Sequence, residues 1–329
     1  MTRHIVVQEH GRFLGIHAGL LQVRDGETLV MEAPLSRLAS LTVAKTGVGL
    51  SADLVLAMAA RGARLFFVDF RGALVAALHG TEQHATVAVR RRQLAAVGSI
   101  ATRDLARAFV IGKLRNQRAL LRYFAKYHEK KDDSVLRAGA LAIESLIVGA
   151  QAIALGEQNW RERLLGHEGE GAATYFRAIR AAGLAPPSFR TRIGRGAQEI
   201  TNAALNLGYS MLSTRVWTCL ANAGLECYAG VLHEDRPGKP SLVLDVMEEH
   251  RPFVVDRAVF TLRAMLGDAK SFDATVRRKV IEGVNAALDR RIAHRGRKLR
   301  VETVMQRQAY RLAGAFAGKT IYRPTRYAW

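Results

Sequence analysis

The pattern of apolar residues changes near residue 85 of this 329-residue chain, and this change most limits the possible folds. Before it, short apolar runs are separated by turn residues, and Asp25-Gly26 between two such runs is typical of a β-hairpin. After it, apolar residues recur at helical spacing, and proline is absent between Pro34 and Pro186. The sequence therefore predicts an α+β protein, with a small β-sandwich-like domain (residues 1–85) before a larger all-α-helical domain (residues 86–329).

Local signals define the expected elements. A helix is predicted over Ala52–Ala60. Ser51 is a favourable N-cap before it, and Gly62 follows its end as a stop signal. The strands are predicted over residues 4–8, 13–17, 20–23, 29–31, 64–70 and 73–79, with the last two joined across Arg71-Gly72. Loops in the second domain are expected near residues 157–166, 183–195 and 234–240.

The positive charge is concentrated in the second domain. The chain has 49 Lys+Arg against 29 Asp+Glu, a net charge of +20, but residues 1–90 hold only 9 and 7 of these. Excess Lys and Arg on a folded domain is typical of a polyanion partner, with DNA or RNA favoured over an anionic membrane surface. A basic surface that serves only solubility stays open as an alternative.

The densest basic groups are predicted to contact DNA phosphates, although each of these residues could equally serve solubility or helix–helix ion pairs. They are Arg90, Arg91, Arg92, Arg277, Arg278, Lys279, Arg290, Arg291, Arg295, Arg297, Lys298 and Arg300. Residues 319–329 mix basic and aromatic side chains, which predicts either a contact segment for DNA or a partner, or disorder.

The composition excludes several classes of protein. A hydrophobic fraction of 49% is enough for a core and excludes a disordered basic tail. The most apolar stretch, residues 138–156, contains Glu144 and Gln151 and is expected to be a buried helix rather than a membrane span. The first residues lack a signal-peptide pattern, so a cytoplasmic protein is expected. Cys219 and Cys227 are expected to be buried apolar side chains.

Two segments carry isolated polar residues that could take part in chemistry. In residues 165–176, Glu168 precedes Tyr175 by seven positions, so on a helix both lie on one face. Small residues nearby would let another segment or a phosphate approach the backbone. In residues 230–238, His233 stands at the entry to a turn. Taken singly, these patterns are also typical of a helix start and of a surface histidine.

A third segment, residues 240–252, holds Asp245, Glu248 and Glu249 at spacings that would crowd one helical face. A solvated acidic face is the usual interpretation of this spacing. Carboxylates together with an imidazole suit Mg²⁺ or Mn²⁺, and such an ion can activate a hydroxyl or water against a phosphodiester. In a basic domain this combination favours a nuclease or a phosphoryl transferase.

Longer runs resemble one known family, the CRISPR-associated adaptation integrases, which are metal-dependent DNA endonucleases that insert new spacers. The resemblance spans nearly the whole chain in order. It rests on GVGLSADLVLAMAARGARLFFVDFRGALVAALHG (residues 47–80), HEGEGAATYF (167–176), NAALNLGYSML (202–212), GVLHEDRPGKPSLVLDVMEEHRP (230–252) and Val255-Asp256-Arg257.

The resemblance implies an N-terminal β-domain joined to a helical catalytic domain. It implies that Glu168, His233 and Glu248 hold Mg²⁺ or Mn²⁺ as catalytic ligands. The choice between Asp245 and Glu248 stays open, and Glu170 is set aside because Tyr175 aligns only with Glu168. The supporting residues are Asp245, Asn202 and Tyr175, and His250 is expected to pack.

The resemblance also implies partners: double-stranded DNA of the CRISPR repeat and prespacer, a second copy bound through the N-terminal domains, and a small dimeric CRISPR adaptation protein. No membrane partner is expected. The alternative from another class is a non-catalytic basic DNA-binding architectural protein. An RNA-directed hydrolase ranks last, because an aromatic RNA-recognition pattern is absent.

Overall fold

The computed structural model describes residues 3–69, 74–78, 80, 86–127, 133–194 and 196–327. The chain divides into two compact units, Met1–His84 and Ala85–Trp329, so the division lies one residue from the expected boundary. Some predicted positions lie outside the described residues. These are Phe70, residues 71–73, His79, Arg195, residues 81–85 at the boundary, and residues 328–329.

The described residues of the N-terminal unit form two sheets and one α-helix. Its described strands are β1 (Arg3–Val7), β2 (Arg12–His17), β3 (Leu20–Asp25), β4 (Thr28–Pro34), β5 (Leu38–Val43), β6 (Gly49–Leu50), β7 (Arg64–Val68) and β8 (Leu74–Leu78), and its helix is α1 (Ala52–Ala60). One four-stranded sheet has the order β1-β5-β7-β8 and the other β4-β3-β2-β6. Buried residues of both sheets and of α1 form one apolar core.

Several local predictions in this unit are confirmed. Strands β3 and β4 pair antiparallel across Gly26, whose φ of +56° a glycine adopts without strain. The Ser51 side chain accepts a hydrogen bond of 3.2 Å from the backbone N–H of Leu54 at the start of α1. Strand β5, which lies between β1 and β7 and runs parallel to both, was not predicted from the sequence. Its buried polar residues Ser40 and Thr42 interrupt the apolar run that would mark a central strand.

The C-terminal unit is mainly helical. Its described helices are α2 (Thr86–Ala96), α3 (Ile100–Tyr127), α4 (Ser134–Ala152), α5 (Trp160–Ala181), α6 (Ile200–Asn222), α7 (Ser241–Met247), α8 (Arg257–Thr261), α9 (Arg263–Asp268), α10 (Ala274–Asp289) and α11 (Val301–Phe316). A π-helical turn, Pro252–Asp256, precedes α8. Helices α3, α4 and α5 pack against one another.

The prediction of an all-helical second domain is wrong at one place. Strands β9 (Arg291–His294) and β10 (Arg297–Arg300) form an antiparallel hairpin. Positive φ angles at Arg295 and Gly296 turn the chain between them. The basic residues on both strands concealed the alternation, because Ile292, Ala293 and Leu299 are the apolar residues among their eight positions.

The start of α5 also differs from the prediction. A loop was expected over residues 157–166, but α5 begins at Trp160. Trp160 and Leu164 are both buried one turn apart, and they anchor the first turns of the helix in the core. Glu168 therefore lies inside a helix rather than at its start.

Helix α4 is long and apolar enough to cross a membrane by length and composition alone. Leu136, Ile143 and Ile147 are buried in the unit, as expected for a core helix, whereas Leu141 and Val148 are exposed. Cys219 and Cys227 are both buried and unbridged, as predicted.

Candidate metal centre

Three helical segments bring two of the predicted ligands together around a lysine. Lys113 Nζ on α3 lies 2.5 Å from Glu168 Oε1 on α5 and 2.7 Å from Glu248 Oε2 just after α7. All three side chains are largely enclosed, since the most exposed of them, Glu168, has a side-chain exposure of 13%. Two carboxylates therefore share one cationic group inside the protein.

Lys113 was not found from the sequence, although a signal exists. It continues the stripe of α3 that is formed by Phe109, Asn116 and Leu120, all of which are buried. An ionisable residue on such a stripe needs a buried partner of opposite charge. The stripe therefore pointed to a buried carboxylate opposite α3.

Gly171 on α5 allows α3 to approach Glu168. A Cβ atom at Gly171 would lie 2.1 Å from Leu114 Cδ2, so a larger residue there would force the Leu114 side chain beside Lys113 to move. The prediction that small residues in this segment admit a neighbouring chain segment is thus confirmed at Gly171. At Gly169 the corresponding space is open.

Glu248 is ionised by its neighbours in spite of its burial. Burial alone would raise the pKa of the Glu248 carboxyl, but Arg251 and Lys113 outweigh burial and lower that pKa. Arg251 Nη1 lies 2.8 Å from Glu248 Oε1. Burial likewise opposes the charge of Lys113, and the charges of Glu248 and Glu168 outweigh it and raise the Lys113 pKa.

Asp245 performs a different task from Glu248. Its Oδ2 accepts hydrogen bonds from the backbone N–H groups of Val231 (2.7 Å) and Leu232 (3.1 Å). Its Oδ1 accepts one from the N–H of His233 (3.0 Å) and lies 2.7 Å from His233 Nδ1. Both oxygens of Asp245 are therefore engaged in holding the turn and the ring of His233.

The contact with Asp245 orients the imidazole of His233. With Nδ1 directed at the carboxylate, Nε2 is the ring nitrogen left for another ligand, which is the usual arrangement of a metal-binding histidine with its supporting carboxylate. Burial alone would lower the pKa of His233, but the hydrogen bond to Asp245 and the nearby charges outweigh it and raise that pKa. Glu248 and Glu168 are among those charges.

Tyr175 belongs to a buried layer behind the carboxylates. Tyr209 donates a 2.5 Å hydrogen bond to Asp256 Oδ1, and Tyr175 lies beside the same carboxyl. Burial raises the pKa of Asp256 to about 6 and also raises the pKa of Tyr175. The guanidinium of Arg251 lies 4.7 Å from the centre of the Tyr209 ring, so this layer supports the arginine that pairs with Glu248.

Asn202 lies in the first turn of α6 and holds a loop. Its Oδ1 accepts hydrogen bonds from the N–H of Ile193 (2.8 Å) and from Arg192 Nη1 (3.1 Å). Its Nδ2 donates to the carbonyl of Thr191 at 2.9 Å and to Glu199 Oε2 at 3.0 Å. In the described part of the chain, none of its hydrogen bonds reaches Glu168, His233 or Glu248.

The prediction that Asp245, Glu248 and Glu249 crowd one face is wrong. Helix α7 ends at Met247, and the three carboxylates enter three separate environments. Glu249 Oε2 accepts a 3.1 Å hydrogen bond from Tyr322, and burial raises the Glu249 pKa to about 7. His250 Nδ1 lies 2.7 Å from the Tyr327 hydroxyl, in agreement with the expected packing role.

The segment after α11 is folded against α3 rather than extended as a free tail. Asn116 Nδ2 donates to the carbonyls of Glu249 (2.7 Å) and Thr325 (2.9 Å), and Asn116 Oδ1 accepts from the N–H of Tyr327. The Tyr327 ring stacks on Phe253 with centroids 4.1 Å apart. Within residues 319–327, the aromatic side chains of Tyr322 and Tyr327 are therefore packed in the helical unit.

Some of the predicted DNA-contacting residues form ion pairs within the protein. Lys279 and Arg278 both approach Glu282, at 2.9 and 3.9 Å. Arg300 lies 3.3 Å from Asp289. The β9–β10 hairpin holds Arg291, Arg295, Arg297 and Lys298, which are exposed. DNA contact by Arg90, Arg91, Arg92, Arg277, Arg290 and the residues above stays a prediction.

The donor set suits a hard divalent cation. No three His, Cys, Asp or Glu side chains among the described residues stand close enough together to hold a metal ion as they are placed. Two carboxylates nevertheless converge on one positive group, and an oriented imidazole contributes to the same electrostatic environment. Carboxylate oxygens and an imidazole nitrogen are donors that Mg²⁺ or Mn²⁺ accepts, and the assignment of Glu168, Glu248 and His233 as ligands stays a prediction.

Comparison of the sequence with known protein families and with curated proteins identifies the family of this chain. The profile of the family described as "CRISPR associated protein Cas1" matches residues 5–281. A protein from Francisella tularensis subsp. novicida, "CRISPR-associated endonuclease Cas1 1", is 40% identical over 99% of this chain and 100% of its own length. The chain therefore belongs to the Cas1 family of CRISPR-associated endonucleases.

Solved structures share the fold. "Casposase bound to integration product" superposes with a TM-score of 0.82 at 19% identity, covering 99% of this chain and 94% of the other. A chain of a "Cas6-RT-Cas1--Cas2 complex" gives a TM-score of 0.79 at 18% identity, covering 100% of this chain and 36% of the other. At these sequence identities, both superpositions show a shared fold and nothing beyond it.

Proposed function

We propose that this chain is a divalent-metal-dependent DNA endonuclease and integrase that inserts new spacers into a CRISPR array. The observation that carries the proposal is the convergence of Glu168 and Glu248 on one cationic position, 2.5 and 2.7 Å from Lys113 Nζ. Membership of the Cas1 family and the casposase-like fold support the same class of reaction.

The residues of this chain would prepare the reaction in distinct ways. Arg251 and Lys113 keep Glu248 ionised, so it is ready to bind a cation. Asp245 holds Nδ1 of His233, so Nε2 is the ring nitrogen left for ligation. The bound ion would supply polarisation of a phosphodiester and a lowered pKa for an attacking 3′-hydroxyl or water. A hydroxyl nucleophile gives strand transfer, and water gives cleavage.

The test is a strand-transfer assay on repeat-containing DNA with Mg²⁺ or Mn²⁺. Glu168→Gln and His233→Ala should abolish joining and cutting while the circular dichroism spectrum stays unchanged. Glu170→Gln is the matched control, because Glu170 is an exposed carboxyl on the same helix, two residues away. Full activity of Glu168→Gln would overturn the assignment.

The same assay distinguishes an integrase from a protein that only binds DNA. A non-catalytic DNA-binding architectural protein would bind DNA and leave it unaltered with either metal. Unaltered DNA in the presence of the wild-type chain, a partner protein and metal would favour that alternative.

We also propose a homodimer that assembles with a small dimeric CRISPR adaptation protein, and the name of the Cas1–Cas2 complex above supports this. In the N-terminal unit, the edge strands β4 and β8 carry exposed apolar residues, including Val30 and Val75 at 51% and 68% exposure. Exposed apolar edges favour pairing with another chain. Light scattering at micromolar concentration should give twice the chain mass, and a monomer would contradict the dimer.

A further inference from the structure

A cavity of about 650 Å³ lies in the C-terminal unit, bounded by α3, the β9–β10 turn, α11 and the segment after α11. Its volume is within the roughly 300–1,000 Å³ of typical ligand sites. Six arginines line it: Arg107, Arg115, Arg295, Arg311, Arg323 and Arg326. The only carboxylate among its described lining residues is Asp104, which is ion-paired with Arg107.

This cavity is separate from the metal centre. Ile111 and Arg115, one helical turn apart on α3, both line the cavity. Lys113 lies between them in sequence, so it projects from the opposite side of the helix, where it meets Glu168 and Glu248. The two sites therefore use opposite faces of α3.

The arginines around the cavity repel one another. Burial lowers the pKa of Arg115, and the positive charge of Arg326 lowers it further. Burial also lowers the pKa of Arg118, with added contributions from Arg122, Arg115 and Arg326. Glu144 pairs with Arg118 outside the cavity. Crowded positive charge of this kind is stabilised by an anion that enters the cavity.

The positive charge continues beyond the cavity. Arg115, Arg118 and Arg122 stand at spacings of three and four residues, so they form one stripe along α3. With Arg107, the basic residues extend over 15 positions, or about 22 Å of helix. A ligand that contacts all of them is longer than a single nucleotide.

We propose that this arginine cavity is a second phosphate-binding site, which holds the backbone of a nucleic acid strand away from the phosphodiester that reacts. Arginine suits this task because its planar guanidinium binds phosphate oxygens in pairs. The site needs neither metal nor catalysis, so the proposal goes beyond the proposed function and stands apart from it.

The test measures binding of a fluorescent single-stranded DNA oligonucleotide in EDTA, as a function of salt concentration. The double variant Arg115→Gln/Arg326→Gln should bind at least about tenfold more weakly than wild type at low salt. The slope of log affinity against log salt should fall by about 1.4, since each lost phosphate contact on a single strand contributes about 0.7.

The matched control is Arg137→Gln/Arg163→Gln, which removes the same charge. These two arginines are ion-paired with Asp133 and Glu157, so they already have carboxylate partners. The control should keep wild-type affinity and slope. Equal losses in both double variants would show a general charge effect and overturn the site.

Tripolyphosphate is the second probe and distinguishes a nucleic acid strand from a free phosphate compound. It should compete with the oligonucleotide only at concentrations far above those of DNA. If tripolyphosphate stabilises wild type more than the variant while both bind DNA equally, the strand proposal is wrong. Because the assay contains EDTA, a failed nuclease assignment leaves its outcome unchanged.

Discussion

On one face of α3, Lys113 lies within 2.7 Å of two carboxylates, whereas on the opposite face Arg115 is crowded by Arg326. The pKa of Lys113 is raised by its anionic neighbours, and the pKa of Arg115 is lowered by burial and by a like charge. The carboxylates of the acidic face are compensated inside the protein by Lys113 and Arg251. The basic face has one carboxylate, Asp104, against six arginines among its described lining residues, and this excess of positive charge suits an extended anion.

Removing the lysine is the strongest way to break this contrast. Lys113→Met leaves Glu168 and Glu248 enclosed with less compensating charge, and breaking a buried pair costs about 3–5 kcal/mol. Urea unfolding in EDTA should show this loss in the free energy of unfolding. Mn²⁺ should then stabilise the variant more than the wild type, because the ion no longer competes with the ammonium group.

Lys126→Met is the control, since Lys126 is an exposed lysine on the same helix. It should change the free energy of unfolding by less than about 1 kcal/mol. A Lys113→Met protein as stable as Lys126→Met would contradict the idea that the acidic face depends on its internal cation.

Glu249 tests how much a buried carboxyl depends on a cationic partner. Glu168 and Glu248 share Lys113, whereas Glu249 accepts a hydrogen bond from Tyr322. Its folded pKa of about 7 lies above the ordinary 4.5, so its contribution to stability is complete below pH 4.5 and is lost as pH rises through 7. Glu249→Gln removes this loss. Between pH 5 and pH 8, wild type should lose up to about 3 kcal/mol relative to the variant in denaturant titrations.

A parallel series with the exposed Glu170→Gln should follow the wild-type pH dependence. The same pH dependence in Glu249→Gln and wild type would mean that Glu249 ionises freely in the folded protein.

The smallest expected effect concerns orientation rather than charge. Asp245→Asn loses an acceptor for the 231–233 turn and for His233 Nδ1. Such second partners of metal-binding histidines change metal affinity by about 10–100-fold. Calorimetric titration with Mn²⁺ in the absence of DNA should show a weakening in this range, and unchanged affinity would remove Asp245 from the centre.

Much of the arrangement was predictable where the signals are local. The change of periodicity near residue 85, the Ser51 cap and the Asp25-Gly26 hairpin each depend on a few neighbouring residues, and each appears in the structure. Family resemblance pointed to Glu168, His233 and Glu248, of which the two glutamates share Lys113.

What was missed depends on residues distant in sequence. Spacing alone could not separate Asp245 from Glu248, because their tasks depend on the 231–233 turn and on Lys113 in α3. The arginine cavity combines α3 with residues about 200 positions later. The β9–β10 hairpin was hidden because charged side chains occupy most of its positions.

The docking of the last described segment on α3 has a consequence for synthesis. Asn116 Oδ1 accepts a hydrogen bond from the backbone N–H of Tyr327, 211 residues later in the chain. The Tyr322 hydroxyl donates one to Glu249 beside the acidic centre. Contacts of such separation form slowly and cannot form on the ribosome before residue 327 has emerged. The surroundings of the acidic centre are therefore incomplete in any nascent chain that has not yet reached Tyr327.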